Sequence, residues 1–180
     1  MIKNFIKSKY RIISLYILIF LTIIIIIIRV SGEQVDVSLS PLYPVPKSIT
    51  QHFSPNEKFY VVNFFASWCK ACIAEHDNIM KLKKISKAHI YGIAINDDTA
   101  SVNNILKKQG NPFIKVSFSF PVDSLNEIEL TRIPRTLVIY NNAVVYDHSG
   151  EINNNIFNKK LLPVMEQILN LELEERGELK

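Results

Sequence analysis

Cysteine is scarce here: two residues in a chain of 180. A disulfide-stapled scaffold needs several bridges and a four-cysteine zinc site needs four thiolates, so both are excluded. A concentrated basic surface is also missing. Of the 21 lysines and arginines, Lys3, Lys7, Lys9 and Arg11 stand ahead of residue 12 with no acid among them. The remaining 17 are matched by 17 acidic residues, so the isoelectric point near 9.0 describes a short N-terminal cluster. Neutralising phosphates requires clustered cations, which argues against nucleic acid as a partner. There is no internal repeat. With 48% hydrophobic residues and mean hydropathy +0.12, the chain is too apolar to be disordered and too evenly charged to span a membrane many times. The length suits one domain plus an appendage.

The appendage is an apolar run. Residues 12–28 are interrupted only by Ser14, Tyr16 and Thr22 and end in six isoleucines. As a helix the run spans roughly 25 Å, enough for a bilayer core if Arg11 and Arg29 snorkel. Residues 12–30 are therefore expected to be a transmembrane anchor. Residues 1–11 form its cytoplasmic basic leader, and everything from about Ser31 lies outside. A cleaved signal peptide is the competing reading: Val30-Ser31-Gly32 resembles a cleavage site, although Ala-x-Ala is absent and Arg29 crowds it. A buried core helix would carry a polar face, and this run has none.

Residues 31–56 hold Pro41, Pro44, Pro46 and Pro55 and read as a tether and irregular lead-in. Residues 57–175 then alternate. Phe59–Phe65 and Ile90–Ile95 read as strands, with helices over Ala71 to about Lys87 and from Asn96-Asp97-Asp98 to Gln109. A short strand at Val116–Phe120 and one or two helical turns at Ser124–Leu130 follow. Thr136–Tyr140 and Ala143–Asp147 flank an Asn141-Asn142 hairpin turn, and a helix from about Asn153 to Leu173 is kinked by Pro163. This order predicts an α/β sandwich with a mixed central sheet.

The chemistry gathers at Trp68-Cys69-Lys70-Ala71-Cys72, where the first strong strand passes into a helix. Cys69 falls at the helix N-terminus, where free N–H groups and the macrodipole favour an exposed thiolate. Cys72 faces inward one turn on, within reach of a mixed disulfide formed by Cys69. Lys70 adds positive charge. A structural bridge over so short a loop would stabilise little, which favours a redox disulfide between Cys69 and Cys72. A metal site is the alternative: Cys69, Cys72 and His76, with a distal residue such as His148, could hold copper or zinc. His52, His76, His89 and His148 also have a plain reading as surface and loop side chains. Glu75 shares a helix face with Cys72, Ile79 and Leu82. It is either a proton acceptor for Cys72 or a solvated first-turn acid that favours the dipole.

The segment from Asn63 to His76, NFFASWCKACIAEH, resembles the active-site segment of the DsbE/CcmG family of membrane-anchored thioredoxin-like thiol:disulfide interchange proteins of cytochrome c maturation. Gly92–Asp98, Leu106–Pro112, Ile133–Ile139, His148–Asn153 and Leu162-Pro163 are similar to further family segments in the same order, over about residues 59–170. The resemblance implies a thioredoxin-like fold. Cys69 would be its attacking thiol, Cys72 its resolving thiol and Pro134 its cis-proline, with Trp68, Ile133 and Pro134 against an extended client. Asn63 stands where ordinary thioredoxins carry a buried aspartate, which assigns proton handling to Glu75. Two departures stand out. Arg135 replaces a usual glutamate after the proline, and Glu129-Leu130-Thr131-Arg132 lacks the family's glycines.

The resemblance further implies a periplasm-facing oxidoreductase, held in the bacterial inner membrane by a single pass. Its client would be apocytochrome c, or a cytochrome c maturation thiol protein, kept reduced before haem attachment. A membrane thiol-transfer protein would donate the electrons. Neither a cofactor nor a bound metal is expected for this reading. The competing class is a metallochaperone on the same fold that uses Cys69, Cys72 and a histidine for copper.

Overall fold

Phe59–Phe65 (β2) is buried at all seven positions, so the strand has to be covered on both faces. It lies at the centre of a mixed six-stranded sheet in the order β1 (Tyr43–Pro44), β6 (Ala143–Ser149), β5 (Arg135–Tyr140), β2, β3 (His89–Ala94) and β4 (Lys115–Ser117). This computed structural model describes residues 15–25, 39–53, 56–86, 88–120 and 122–178, in two units, Met1–Asp36 and Val37–Lys180.

In the first unit residues 15–25 form helix α1, whose side chains are exposed except for Ile24. Among the described residues no helix is long and apolar enough to cross a membrane. The leader 1–11, both ends of the expected anchor 12–30 and residues 31–38 of the expected tether lie outside the described residues.

In the second unit β2 pairs in parallel with β3 (His89–Ala94), and β3 with β4 (Lys115–Ser117). These links are made by helices α3 (Lys70–Ser86) and α4 (Thr99–Gln109). On its other side β2 pairs antiparallel with β5 (Arg135–Tyr140), and β5 with β6 (Ala143–Ser149). Period-two alternation sends Val61, Phe65, Val138 and Tyr140 into one apolar cluster with α3, α4 and the C-terminal helix α7 (Leu162–Glu175). Tyr60, Val62, Phe64, Leu137 and Ile139 enter a second cluster on the opposite face.

Local chemistry explains the boundaries. Asp98 caps α4 by accepting from the Ser101 amide, and Gly110 ends it at φ 94°. Asn141 and Asn142, at φ 48° and 62°, make the two-residue turn between β5 and β6.

Three expectations need correction. The lead-in is not irregular throughout: Tyr43–Pro44 (β1) pairs antiparallel with β6, and Lys47–Phe53 forms helix α2. The first amides of α2 are capped by the Glu127 carboxylate, 80 positions away, which no local pattern reveals. The strand expected to reach Phe120 stops at Ser117, and Phe120 packs edge-on against Phe64 instead. The final helix starts as α6 (Asn154–Ile156) and passes through a π turn at Phe157–Leu161 before Pro163. There the proline cannot donate to the preceding turn, and the helix takes a widened turn just before it.

Gly92 on β3 is needed for packing. A Cβ there would lie 2.9 Å from Phe65 and 3.0 Å from Phe113, whose rings stack 4.7 Å apart. Gly92→Ala should therefore destabilise the domain by about 1–3 kcal/mol, read from the denaturation midpoint; an unchanged midpoint would disprove the clash.

Candidate active site

β2 ends at Phe65 and α3 begins at Lys70, so Ser67, Trp68 and Cys69 must turn the chain within a few residues. The neighbouring loop after β3 holds this turn. The Asp97 carboxylate accepts from the Ser67 amide at 2.5 Å and from its hydroxyl at 3.0 Å. The Trp68 indole N–H donates to the Asn96 carbonyl at 3.1 Å, leaving the ring 60% exposed beside the cysteines. Cys69 N–H closes the turn on the Ala66 carbonyl.

Cys69 and Cys72 form a disulfide with Cα atoms 5.2 Å apart. The Cys72 amide, one of the unpaired donors of the α3 N-terminus, points at Cys69 Sγ at 3.2 Å. After reduction the same donor and the helix dipole favour a thiolate on Cys69. The expected contrast between an exposed and an inward cysteine is absent, because the two residues are 8% and 6% exposed. What distinguishes them is electrical: Cys69 is the sulfur that receives the helix N–H.

Glu75 is not a solvated first-turn acid. It is 1% exposed. Asn63 Nδ2 donates to its Oε1 at 3.0 Å, and the Ile152 amide donates to its Oε2 at 2.8 Å. The Asn63 amide also donates to Thr136 Oγ1 at 3.0 Å, across the β2–β5 register that pairs these residues. Burial pushes the Glu75 carboxyl up to about 7; the two hydrogen bonds oppose the shift and nearby Glu151 adds to it.

The Ile133–Pro134 peptide bond is cis. Pro134 is buried and its carbonyl accepts from the Gly150 amide at 2.8 Å. Half-buried Ile133 packs against the apolar cluster that contains both cysteines.

Among the described residues no histidine joins the thiols in a metal-binding group. His76 Nε2 is bonded to the Gly110 carbonyl, His89 is paired with Glu57, and the His148 ring stacks on Tyr146. The His52 side chain lies outside what is described. Among the described residues no group of three or more His, Cys, Asp or Glu side chains could hold a metal ion.

Four polar elements of this region escape a reading by motif: Asp97, the Thr136 hydroxyl, the Ile152 amide and the side chain of Arg135. Arg135 is 9% exposed and paired with Asp147, on the face of β5 opposite Thr136. Two of them carry a sequence signal: the Asp97-Asp98 doublet, since one acid caps α4 and leaves the other free, and Arg135, which stands out after the proline although its partners do not.

The chain is similar to known proteins in sequence and in fold. The thiol:disulfide interchange protein DsbE of Haemophilus influenzae is 29% identical over 154 residues, covering 76% of this chain and 82% of the relative. The protein of the same name from Pasteurella multocida is 28% identical over 110 residues; the match covers 61% of this chain and 60% of that protein's length. The fold matches a crystal structure of a candidate DsbE from Chlorobium tepidum with TM-score 0.54 at 15% identity, over 73% of this chain and 94% of that one. The Redoxin family model matches residues 36–161, well over half of the sequence, and the chain belongs to that family.

Proposed function

We propose that the protein is a thiol–disulfide oxidoreductase that reduces disulfides in client proteins. The observation that carries this reading is the Cys69–Cys72 disulfide at the start of α3, with a helix N–H on Cys69 Sγ and buried Glu75 one turn beyond Cys72. In the reduced protein the Cys69 thiolate attacks a client disulfide. A mixed disulfide forms and one client sulfur leaves as a thiolate. Cys72 then attacks Cys69 Sγ, its proton passes to Glu75, the second client thiolate departs and the internal disulfide closes. A carboxyl that titrates near 7 can both take up and return a proton at neutral pH. Trp68, Ile133 and Pro134 form the client-facing rim in this reading.

The client we favour is apocytochrome c or a thiol protein of cytochrome c maturation. The WCKAC and AEH elements and the DsbE relatives support it. Haem attachment needs free thiols in a compartment that oxidises them, and a dedicated reductant resolves that conflict. Electrons would then come from a membrane thiol-transfer protein. The basic leader 1–11 and the apolar run 12–28 support an anchor over 12–30 in a bacterial inner membrane, with residues 31–56 leading into a periplasmic domain over 57–175.

The mechanism is tested by trapping. Cys72→Ser removes the releasing thiol, so a covalent client complex should accumulate and mass analysis should identify the client. Cys69→Ser should trap little; equal trapping by the two variants would show that the attacking thiol is misassigned.

Glu75 gives a pH test. Its raised carboxyl makes the folded state hold a proton that the unfolded chain has released. The stability it contributes is therefore complete below about pH 4.5 and is lost as pH rises through about 7. The unfolding free energy of the oxidised protein should fall by on the order of 3 kcal/mol across that window, and Glu75→Gln should flatten the fall. A wild-type profile already flat from pH 4.5 to 7 would refute the buried-acid assignment.

For topology, protease supplied to the outer side of the inner membrane should digest the catalytic domain of a membrane-bound protein. Recovery of a soluble form beginning near Glu33 would instead establish cleavage of the apolar segment.

A further inference from the structure

Between helix α5 (Val122–Glu127) and β5, the chain has to end a helix, turn without glycine and bring Ile133 and Pro134 to the rim of the dithiol site. The Glu129 amide donates to the Asn126 carbonyl at 3.0 Å and the Leu130 amide to the Leu125 carbonyl at 2.9 Å. This is the pattern of a Schellman turn, whose left-handed position usually belongs to glycine. Here Glu129 occupies it at φ 50°. A glutamate holds that conformation only where surrounding contacts enforce it.

Arg135 supplies those contacts from behind the turn. Its Nη1 donates to the Ile128 carbonyl at 2.5 Å and to the Glu129 carbonyl at 3.3 Å. Its Nε and Nη2 make a two-point bond to the Asp147 carboxylate at 2.8 and 2.7 Å. Nη2 also reaches the Tyr43 hydroxyl at 3.4 Å, and that hydroxyl donates to Asp147 at 2.7 Å. One enclosed guanidinium thus joins the turn to β6 and to β1, the first strand of the domain. It carries the planar fork that lysine lacks.

We propose that Arg135 is a positioning residue that locks the 128–134 turn to β1 and β6 and so holds Ile133–Pro134 in place for an extended client. This rests on the client-facing reading of that rim given above. Without the lock, the turn carbonyls are free to bond water and the rim samples more conformations, so capturing a client has to order it first. The sulfur chemistry is left alone, because none of these contacts involves α3. Arg135 and the missing glycines are then one device: the side chain after the proline holds a turn that glycine would otherwise make.

The test uses the full-length reduced protein and two oxidants, a long cystine-bridged peptide and a small aromatic disulfide. Second-order rates are measured for both, together with the Cys69–Cys72 equilibrium against glutathione and the thermal midpoint. Arg135→Gln should slow the peptide reaction about tenfold, a loss of the size expected for one charge-assisted contact. The small-disulfide rate and the glutathione equilibrium should move less than about twofold, since neither involves the rim. Arg135→Lys should recover little of the peptide rate. Adding Glu129→Gly to Arg135→Gln should raise the thermal midpoint again while leaving the peptide reaction slow, because glycine restores the turn but not the lock. Tyr43→Phe, which keeps the Arg135–Asp147 pair, should slow the peptide by a smaller factor and serves if Arg135→Gln does not fold. Recovery of the peptide rate together with the midpoint would overturn the proposal and leave Arg135 a purely structural residue. Equal slowing with both oxidants, or a shifted glutathione equilibrium, would overturn it as well. A wild-type protein inert toward both oxidants would refute the dithiol reading itself, and this proposal with it.

Discussion

The buried Glu75 carboxylate joins the parts of the site. It accepts from Asn63 on β2 and from the Ile152 amide beyond β6, and it belongs to the same helix as Cys72. A carboxylate taken out of water is costly unless its oxygens are satisfied. β2, α3 and the chain after β6 must therefore be in place together, or the group is stranded. Asn63 reinforces this by also bonding Thr136, which brings in β5, the strand that follows the cis-proline. The disulfide is thus backed by a polar knot in an otherwise apolar cluster, and the burial that makes the knot demanding also tunes its proton affinity toward neutrality.

A second polar knot lies on the opposite face of β5. Thr136 takes part in the Glu75 network while its neighbour Arg135 points the other way to Asp147, Tyr43 and the turn carbonyls. Alternation along one strand gives adjacent residues different surroundings: one face joins the buried Glu75 network, the other holds the loop that carries Ile133 and Pro134. The loop before the cysteines is held in a comparable way, since Asp97 and Asn96 fasten Ser67 and Trp68 from the end of β3. In each case the active segment is short and its rigidity is imported from a neighbouring strand end.

Much of the architecture was legible because it rests on local patterns. The apolar run Phe59–Phe65, the helix that follows Asn96-Asp97-Asp98 and the Asn141-Asn142 turn each follow from short-range sterics and hydrogen bonding. β1 and α2 were not legible, since a two-residue strand is set by its partner β6 and α2 is capped by Glu127 from far along the chain. The early end of β4 likewise reflects the fit of Phe120 against Phe64, which a strand-like run of residues does not encode.

At the site, the sequence by itself determined the two sulfurs, their spacing and their place at a helix start, because a strand, a turn and a helix are local events. It also put Glu75 on the Cys72 face, through helical periodicity. Only the tertiary structure decided what Glu75 is. Its burial and its partners come from strand register and from a backbone amide 77 positions away, and the choice between a solvated acid and a buried one turns on those. The same holds for Arg135. Its charge is evident in the sequence, but whether that charge faces a client or is used up behind the loop depends on Asp147, Tyr43 and two carbonyls that folding brings together.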